Sequence, residues 1–348
     1  MRRGIRRFFL PYNVQNSGKP DQTPQDYKDP VPNSEKNDAD NLGADFEVAL
    51  VSLNQWQLAW RRFRKHKLAM FGAGLFLTMV AISVFGPFIL PYDPTALPNP
   101  VHFCPGSTTQ VAYPGCPPLS QGHLFGTTGS LQQDLLTLVV NGGRISLLIG
   151  IGASFFAAII GTVIGGMSGY FGGWVDTISM RAVDVLLSMP ILIVITVFAK
   201  AFGLGDWRVI MAIFALLGWP GLARLVRSLF LSLRTEVFVD AARAVGVSDR
   251  RIIFRHILPN AISPIIVSTT LSIAGVIVTE AFVDFLGYGV DPHKTPTWGN
   301  ILTSAQSFIQ DGNWWWSTFP GLAIVITVLG INFMGDGLRD ALDPRSRL

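Results

Sequence analysis

The sequence predicts an all-α, polytopic membrane protein with six transmembrane helices, and three observations predict it. Only 14% of the 348 residues are charged, where a soluble domain carries about 25%. The mean hydropathy is +0.39. Apolar runs of about 20 residues, enough to cross about 30 Å of hydrocarbon, recur along the chain. The same balance argues against general disorder. The net charge of +4 would suit a nucleic-acid binder, but a body this apolar offers no soluble surface for a basic patch. No nucleic-acid partner is expected.

The elements follow in chain order. Residues 1–67 hold 12 Lys/Arg and 8 Asp/Glu, so they form a charged head. The opening MRRGIRRFFL has an apolar run of only Phe8 to Leu10, against about 7–15 residues for a signal core. No cleavage is expected. Residues 1–45 read as a disordered cytoplasmic tail. In 46–67, Leu53, Trp56, Trp60 and Phe63 make one helical stripe. A basic cluster, Arg61 to Lys67, follows. This amphipathic segment either lies on anionic lipid headgroups or packs on the protein's own helices, and the two are compatible.

Six spans are expected at about 68–90, 145–168, 184–203, 207–229, 262–285 and 318–337. In the second, Gly161, Gly165 and Gly169 form a ridge at i, i+4, i+8. It reads as close helix packing or as the general glycine richness of membrane helices. The fourth carries Arg224 and Arg227. An arginine at the bilayer centre costs about 2.5–3.5 kcal/mol, so both are placed at the cytoplasmic end or facing a wet cavity. The positive-inside rule puts both termini in the cytoplasm, with 169–183 and 230–261 inside and 91–144 and 286–317 outside. The residues from 339 to 348 form a cytoplasmic tail.

The outer loop 91–144 contains both cysteines, Cys104 and Cys116, with a Pro/Gly-rich stretch between them. A disulfide on an oxidising face is the first reading. A metal site using the nearby His102 and His123 is the lesser one, because the spacing matches no familiar pattern.

The motifs of soluble chemistry are missing. There is no G-x-x-x-x-G-K-[ST], no H-E-x-x-H and no G-x-S-x-G. No catalytic residue, metal or cofactor is expected. Glu280 and Asp284 stand one turn apart near the outer end of the fifth span. They read as a proton or cation site or, more simply, as solvated acids at the outer mouth. Asp184 and Asp336 read as interfacial. The fourth span is expected to break at Gly218-Trp219-Pro220-Gly221. Trp219 and Glu280 are the candidates for the translocation path.

The inside loop 230–261 carries FVDAARAVGVSDRRIIFRHILPN, residues 238–260. Thr235 to Val245 reads as a helix, and Gly246 as its left-handed C-terminal residue. Ser248 reads as the cap of a second short helix, which Pro259 ends while turning the chain toward the fifth span. The result is a protruding knob. Ala241 and Ala242 give it a small-residue face, Asp240 one carboxylate, and Arg243, Arg250, Arg251 and Arg255 a basic character.

This segment resembles the "EAA" cytoplasmic loop of ABC-importer permeases, with Asp240-Ala241-Ala242, Gly246 and Leu258-Pro259 at the matching positions. Asp240 stands for the usual Glu, and His256 for an Ile. The order WRRFRKHKLAMFG and LPYDP, with NGGRISLLIG, FLGYGV, TPTWGNIL and GDGLRDALDPR, is similar to the second permease of dipeptide/oligopeptide importers across most of residues 56–345. The stretch 123–137 departs from that pattern: Thr128 replaces an acid and Gln133 an Arg, while Asp134 is kept.

The resemblance implies the permease fold of binding-protein-dependent (type I) ABC importers, with residues 145–338 as the five-helix core. It also implies a bacterial or archaeal cytoplasmic membrane. The partners implied are a second permease, two ATPase subunits of which one grips the knob, and an extracytoplasmic solute-binding protein delivering di- or oligopeptides. The chain itself would perform no chemistry. Relatives carrying nickel chelates, glutathione or oligosaccharides remain alternatives. An ion-coupled secondary transporter would show an inverted repeat of broken helices, and a membrane enzyme a catalytic cluster in the spans. Neither is visible.

Overall fold

A computed structural model describes residues 55–90, 115–119, 122–129, 133–202, 205–310 and 312–343. All belong to one compact unit, Leu53–Leu348. The expected tail 1–45, most of the outer loop and residues 344–348 lie outside the described residues.

Eleven α-helices occur among the described residues: α1 (Gln55–Lys65), α2 (Lys67–Ile89), α3 (Leu135–Phe171), α4 (Gly173–Ser188), α5 (Ile191–Phe202), α6 (Trp207–Leu233), α7 (Val237–Ala244), α8 (Asp249–Ile252), α9 (Leu258–Phe285), α10 (Trp298–Ala305) and α11 (Trp314–Leu342). The described residues hold no strand, only two isolated bridges. Five helical stretches are long and apolar enough to span a membrane: α2, α3, α6, α8 through α9, and α11.

The third span is where expectation and structure part. Residues 184–203 are not one rod. α4 starts near Gly172, and the chain bends by 91° between α4 and α5. Met189 and Pro190 occupy the bend. Proline disfavours the helical conformation in the residue before it, and Met189 is extended (φ −84°, ψ 139°). Counted as one broken span, the pair brings the total to six.

The fourth span corrects the sequence reading in the other direction. α6 runs unbroken through Gly218-Trp219-Pro220-Gly221. Trp219 and Pro220 are buried there, and Trp219 packs with Ala157, Val183 and Ala223. Packing against α3 and α4 holds the helix continuous where the isolated sequence would break. α3 also begins ten residues before the expected start, at Leu135, because Asp134 caps it. The Asp134 carboxylate accepts from the Thr137 N–H at 2.8 Å and the Thr137 hydroxyl at 2.7 Å.

The glycine ridge is a helix contact. A Cβ on Gly161 would lie 2.9 Å from the Trp219 carbonyl oxygen, and one on Gly169 2.6 Å from that of Arg227. One on Gly165 would overlap the Ala223 carbonyl. Small residues in α3 therefore let α6 approach to backbone contact along three turns.

α10 folds back after α9 and seals the end of the core away from α7. Its Thr297 and Asn300 form a reciprocal capping box. Trp298 is 1% exposed and donates its indole N–H to the Val139 carbonyl at 2.9 Å. Around it pack Leu135, Leu138, Ile277, Ile301, Trp316 and Ile331 from α3, α9, α10 and α11.

Candidate functional site

The knob follows the sequence reading closely at its apex. α7 covers Val237–Ala244. Gly246 has φ +77°, with nothing near the position a side chain would take. Its N–H bonds the Arg243 carbonyl at 2.9 Å, and the Val247 N–H bonds that of Ala242 at 3.0 Å. These close the helix end as a glycine C-cap does.

Three details differ. Ser248 holds the N-cap position of α8, but its side chain makes no capping bond. Pro259 does not stop a helix. α8 passes through a π turn, Ile253–Ile257, straight into α9, with Pro259 in the first turn of α9. A proline lacks the N–H for the ordinary ladder. The π turn absorbs the defect: the Leu258 N–H reaches the Ile253 carbonyl, and the Asn260 side chain takes the His256 carbonyl at 2.6 Å. The third difference is the small-residue face. Ala242 turns inward and is 8% exposed, so only Ala241 is presented outward.

Asp240 is exposed and pairs with Arg243 one turn on, at 3.3 Å. Leu258 is half-buried and Pro259 exposed. The knob and the residue before it also show four exposed large apolar side chains that the sequence reading did not single out: Val237 (81% exposed), Phe238 (40%), Val245 (79%) and Phe254 (63%). Single exposed apolar residues are ordinary, but here several sit together on one small projection, beside exposed arginines.

Tyr170, at the end of α3, was also missed. Its hydroxyl donates to Asp249 at 2.6 Å, and the Arg243 guanidinium lies 5.7 Å from its ring centroid. Arg234 donates to the Gly169 and Tyr170 carbonyls at 3.3 and 3.2 Å. The knob is thereby tied to the α3–α4 turn as well as to its own flanking helices. Beneath these bonds Val239, Ala242, Ile252 and Ile257 pack with Tyr170, Val226 and Phe230. A lone aromatic at a helix end gave no signal in the sequence.

Arg227 and Arg224 both have carboxylate partners on α4. Arg227 grips Asp176 through two nitrogens at 2.5 and 2.6 Å, and Ser168 donates to the same carboxylate. Arg224 pairs with Asp184 at 2.7 Å.

At the end remote from the knob, the carboxylates overturn the expectation of solvated acids. Glu280 is 0% exposed and Asp284 2%. Ser146 donates its hydroxyl to Glu280 at 3.2 Å and accepts the Trp298 N–H at 3.2 Å. Asp284 accepts the Val290 N–H at 2.8 Å and the Thr297 hydroxyl. The pair organises the 286–297 loop from inside. Enclosure comes from α10 folding over them, a tertiary event without a local signature. Glu280 and Trp219, the two path candidates, are thus both packed interior residues in this chain.

Further along that end, His123 Nδ1 lies 2.8 Å from Asp134 Oδ1. No group of residues suited to a metal ion occurs among the described residues. His102 and Cys104 lie outside them. Cys116 is buried and is not a free thiol.

The fold and this knob define a multi-span membrane protein with a projection held rigidly on its helices. Comparison with known proteins gives the particular kind. Residues 158–348 match the family "binding-protein-dependent transport system inner membrane component", and residues 54–105 match the "N-terminal TM domain of oligopeptide transport permease C". The chain belongs to this family of ABC-importer permeases. It is 36% identical to the dipeptide transport system permease protein DppC of Bacillus subtilis, over 91% of this chain and 92% of that protein. It is 35% identical to the oligopeptide transport system permease protein OppC of the same organism, over 89% and 96%. It is 40% identical to the glutathione transport system permease protein GsiD of Escherichia coli O1:K1 / APEC, over 83% and 90%.

Proposed function

We propose that this chain is one of two permeases of an importer that moves di- or oligopeptides inward across a cytoplasmic membrane. The knob 238–260 faces the cytoplasm and seats in an ATPase subunit. Two ATPases drive the cycle, and an extracytoplasmic binding protein delivers the solute. Cys104 and Cys116 form a disulfide on the outer face.

The observation that carries the coupling reading is the way the knob is anchored. It projects exposed Val237, Ala241, Val245 and Phe254, yet its base is bonded to α3 through Tyr170 and is continuous with α9. A push on such a lever reaches the spans without being lost in a flexible loop. Asp240 is free to exchange its exposed i,i+3 partner for a cation on the ATPase, since an exposed pair contributes little, about 0–1 kcal/mol.

The peptide reading is supported by the relatives' names and by the match to the permease C amino-terminal domain. GsiD supports glutathione, itself a small peptide, as the second reading. The test is uptake by the assembled complex in proteoliposomes. Gly246→Arg places a large side chain at φ +77° on the open apex. It is expected to insert and assemble, to lose uptake by at least about tenfold, and to keep basal ATP hydrolysis. Undiminished, ATP-coupled uptake would remove the knob's role. A wild-type complex that takes up glutathione but no other di- or tripeptide would replace the substrate reading.

A further inference from the structure

α6 has 27 residues and so spans about 40 Å at 1.5 Å per residue, against about 30 Å of hydrocarbon. Arg224 lies nine residues from the Leu233 end, about 14 Å along the helix. With α6 centred, the Arg224–Asp184 pair sits about 9 Å inside the hydrocarbon. Yet the two side chains are 54% and 56% exposed. A long arginine can snorkel toward a headgroup, but a short aspartate bonded to it at 2.7 Å cannot follow. Charges at this depth face water or protein rather than lipid.

The neighbouring positions carry the same character. On α4, Arg181, Asp184 and Ser188 recur at spacings of three and four, which puts them on one face. On α6, Gly221, Arg224 and Ser228 do the same. All six are exposed. The surface of α2 is apolar throughout, exposing Phe71 (59%), Leu77 (62%) and Phe85 (62%) as a lipid-facing helix does, whereas on α4 the exposed apolar residues Ile178 (60%) and Val185 (53%) only flank the polar face. Arg181 has no carboxylate partner among the described residues, whereas Asp184 already holds Arg224.

We propose that these six residues form the wall that this chain contributes to the solute path. Arg181 binds the carboxylate of a passing zwitterionic peptide, and Asp184, held by Arg224, receives its ammonium group. Two cations and one anion match a ligand with one charge of each sign and leave a surplus positive charge for the carboxylate. The peptide part rests on the function proposed above; the wall itself does not.

The experiment uses the complete complex, labelled in inside-out vesicles and assayed for uptake in proteoliposomes, with Ser188→Cys, Ser228→Cys and, as the lipid-facing control, Leu77→Cys. A charged, membrane-impermeant methanethiosulfonate is expected to modify the first two at least about tenfold faster than the third, with tripeptide protecting them and modification abolishing uptake. Separately, Arg181→Gln is expected to lose uptake and Arg181→Lys to restore most of it, with the amount of assembled complex measured for both. Reactivity equal to that of Leu77→Cys overturns the proposal, as does modification that leaves uptake unchanged. So does shielding of both cysteines in every nucleotide state, which would make this face a contact with the second permease. If both cysteines react but the wild-type complex moves no peptide, the wall stands and the peptide reading falls.

Discussion

Asp284 shows how one buried side chain can hold a loop in place. It accepts the Val290 N–H and the Thr297 hydroxyl, and Gly289 leaves it room, since a Cβ there would overlap its carboxylate. Asp284→Ala leaves two donors buried without a partner, at about 1–3 kcal/mol each. The expected outcome is a clear fall in the detergent melting temperature, with Gly289→Ala as damaging and Gly287→Ala less so, since a Cβ there meets no neighbour and costs only the strain of φ +79°. At the apex of the knob the constraint is the backbone. A non-glycine residue at φ +77° costs about 1–2 kcal/mol, less for Asn. Gly246→Asn is therefore expected to retain more coupled uptake than Gly246→Val, both measured against the wild-type complex. The glycine's role was legible in the sequence, because a glycine closing a short helix takes the left-handed conformation that residues with a Cβ avoid. That Asp284 and Glu280 are enclosed was not legible, because the residues that cover them come from α10 and α3.

At the scale of elements, the α3–α6 contact depends on the glycine ridge. Gly165→Ala must push α6 away from the Ala223 carbonyl, and overpacking of this kind costs about 1–3 kcal/mol. Less assembled protein and a lower melting temperature are expected, with Gly161→Ala less severe. Gly74→Ala, in open space on α2, is the counter-case and is expected to be neutral or slightly stabilising. α4 depends on charge instead, since Val183 is its one buried residue. Arg227→Ala leaves the Asp176 carboxylate, 20% exposed, without its bidentate partner, at about 2 kcal/mol. Faster hydrogen exchange across 173–188 is the expected readout, with Arg227→Lys intermediate. The spacing of the glycines pointed to this packing, but the partner face on α6 could not be read from it.

For the whole molecule, the two charged ends of the core should open to opposite sides of the membrane. Single cysteines at Val245 and His293, both outward on their loops, are expected to react with an impermeant thiol reagent from the cytoplasmic side only and the outer side only, respectively. Labelling of both from one side would break the six-span count. That count rests on treating α4 and α5 as one broken span. Hydropathy registers their combined length, but the 91° bend, which Met189-Pro190 permits locally, is held by how α5 packs along the N-terminal half of α6. There Ile195 and Ala199 meet Ile210, Ile213 and Phe214.

The sequence by itself determined the membrane class, the number of spans, the knob with its left-handed glycine, and the family. Each is encoded locally, in apolar runs of membrane length or in residues with few conformational choices. Tertiary structure alone decided which polar groups this chain covers and which it leaves exposed. Trp219 and Glu280 were withdrawn into the core by helices distant in sequence. Arg224, Asp184 and Arg181 were left exposed on one face because α4 bends away at Pro190 and packs on α6 along a single side. Exposure within a membrane span depends on what the neighbouring helices cover, and no window of the sequence contains that information.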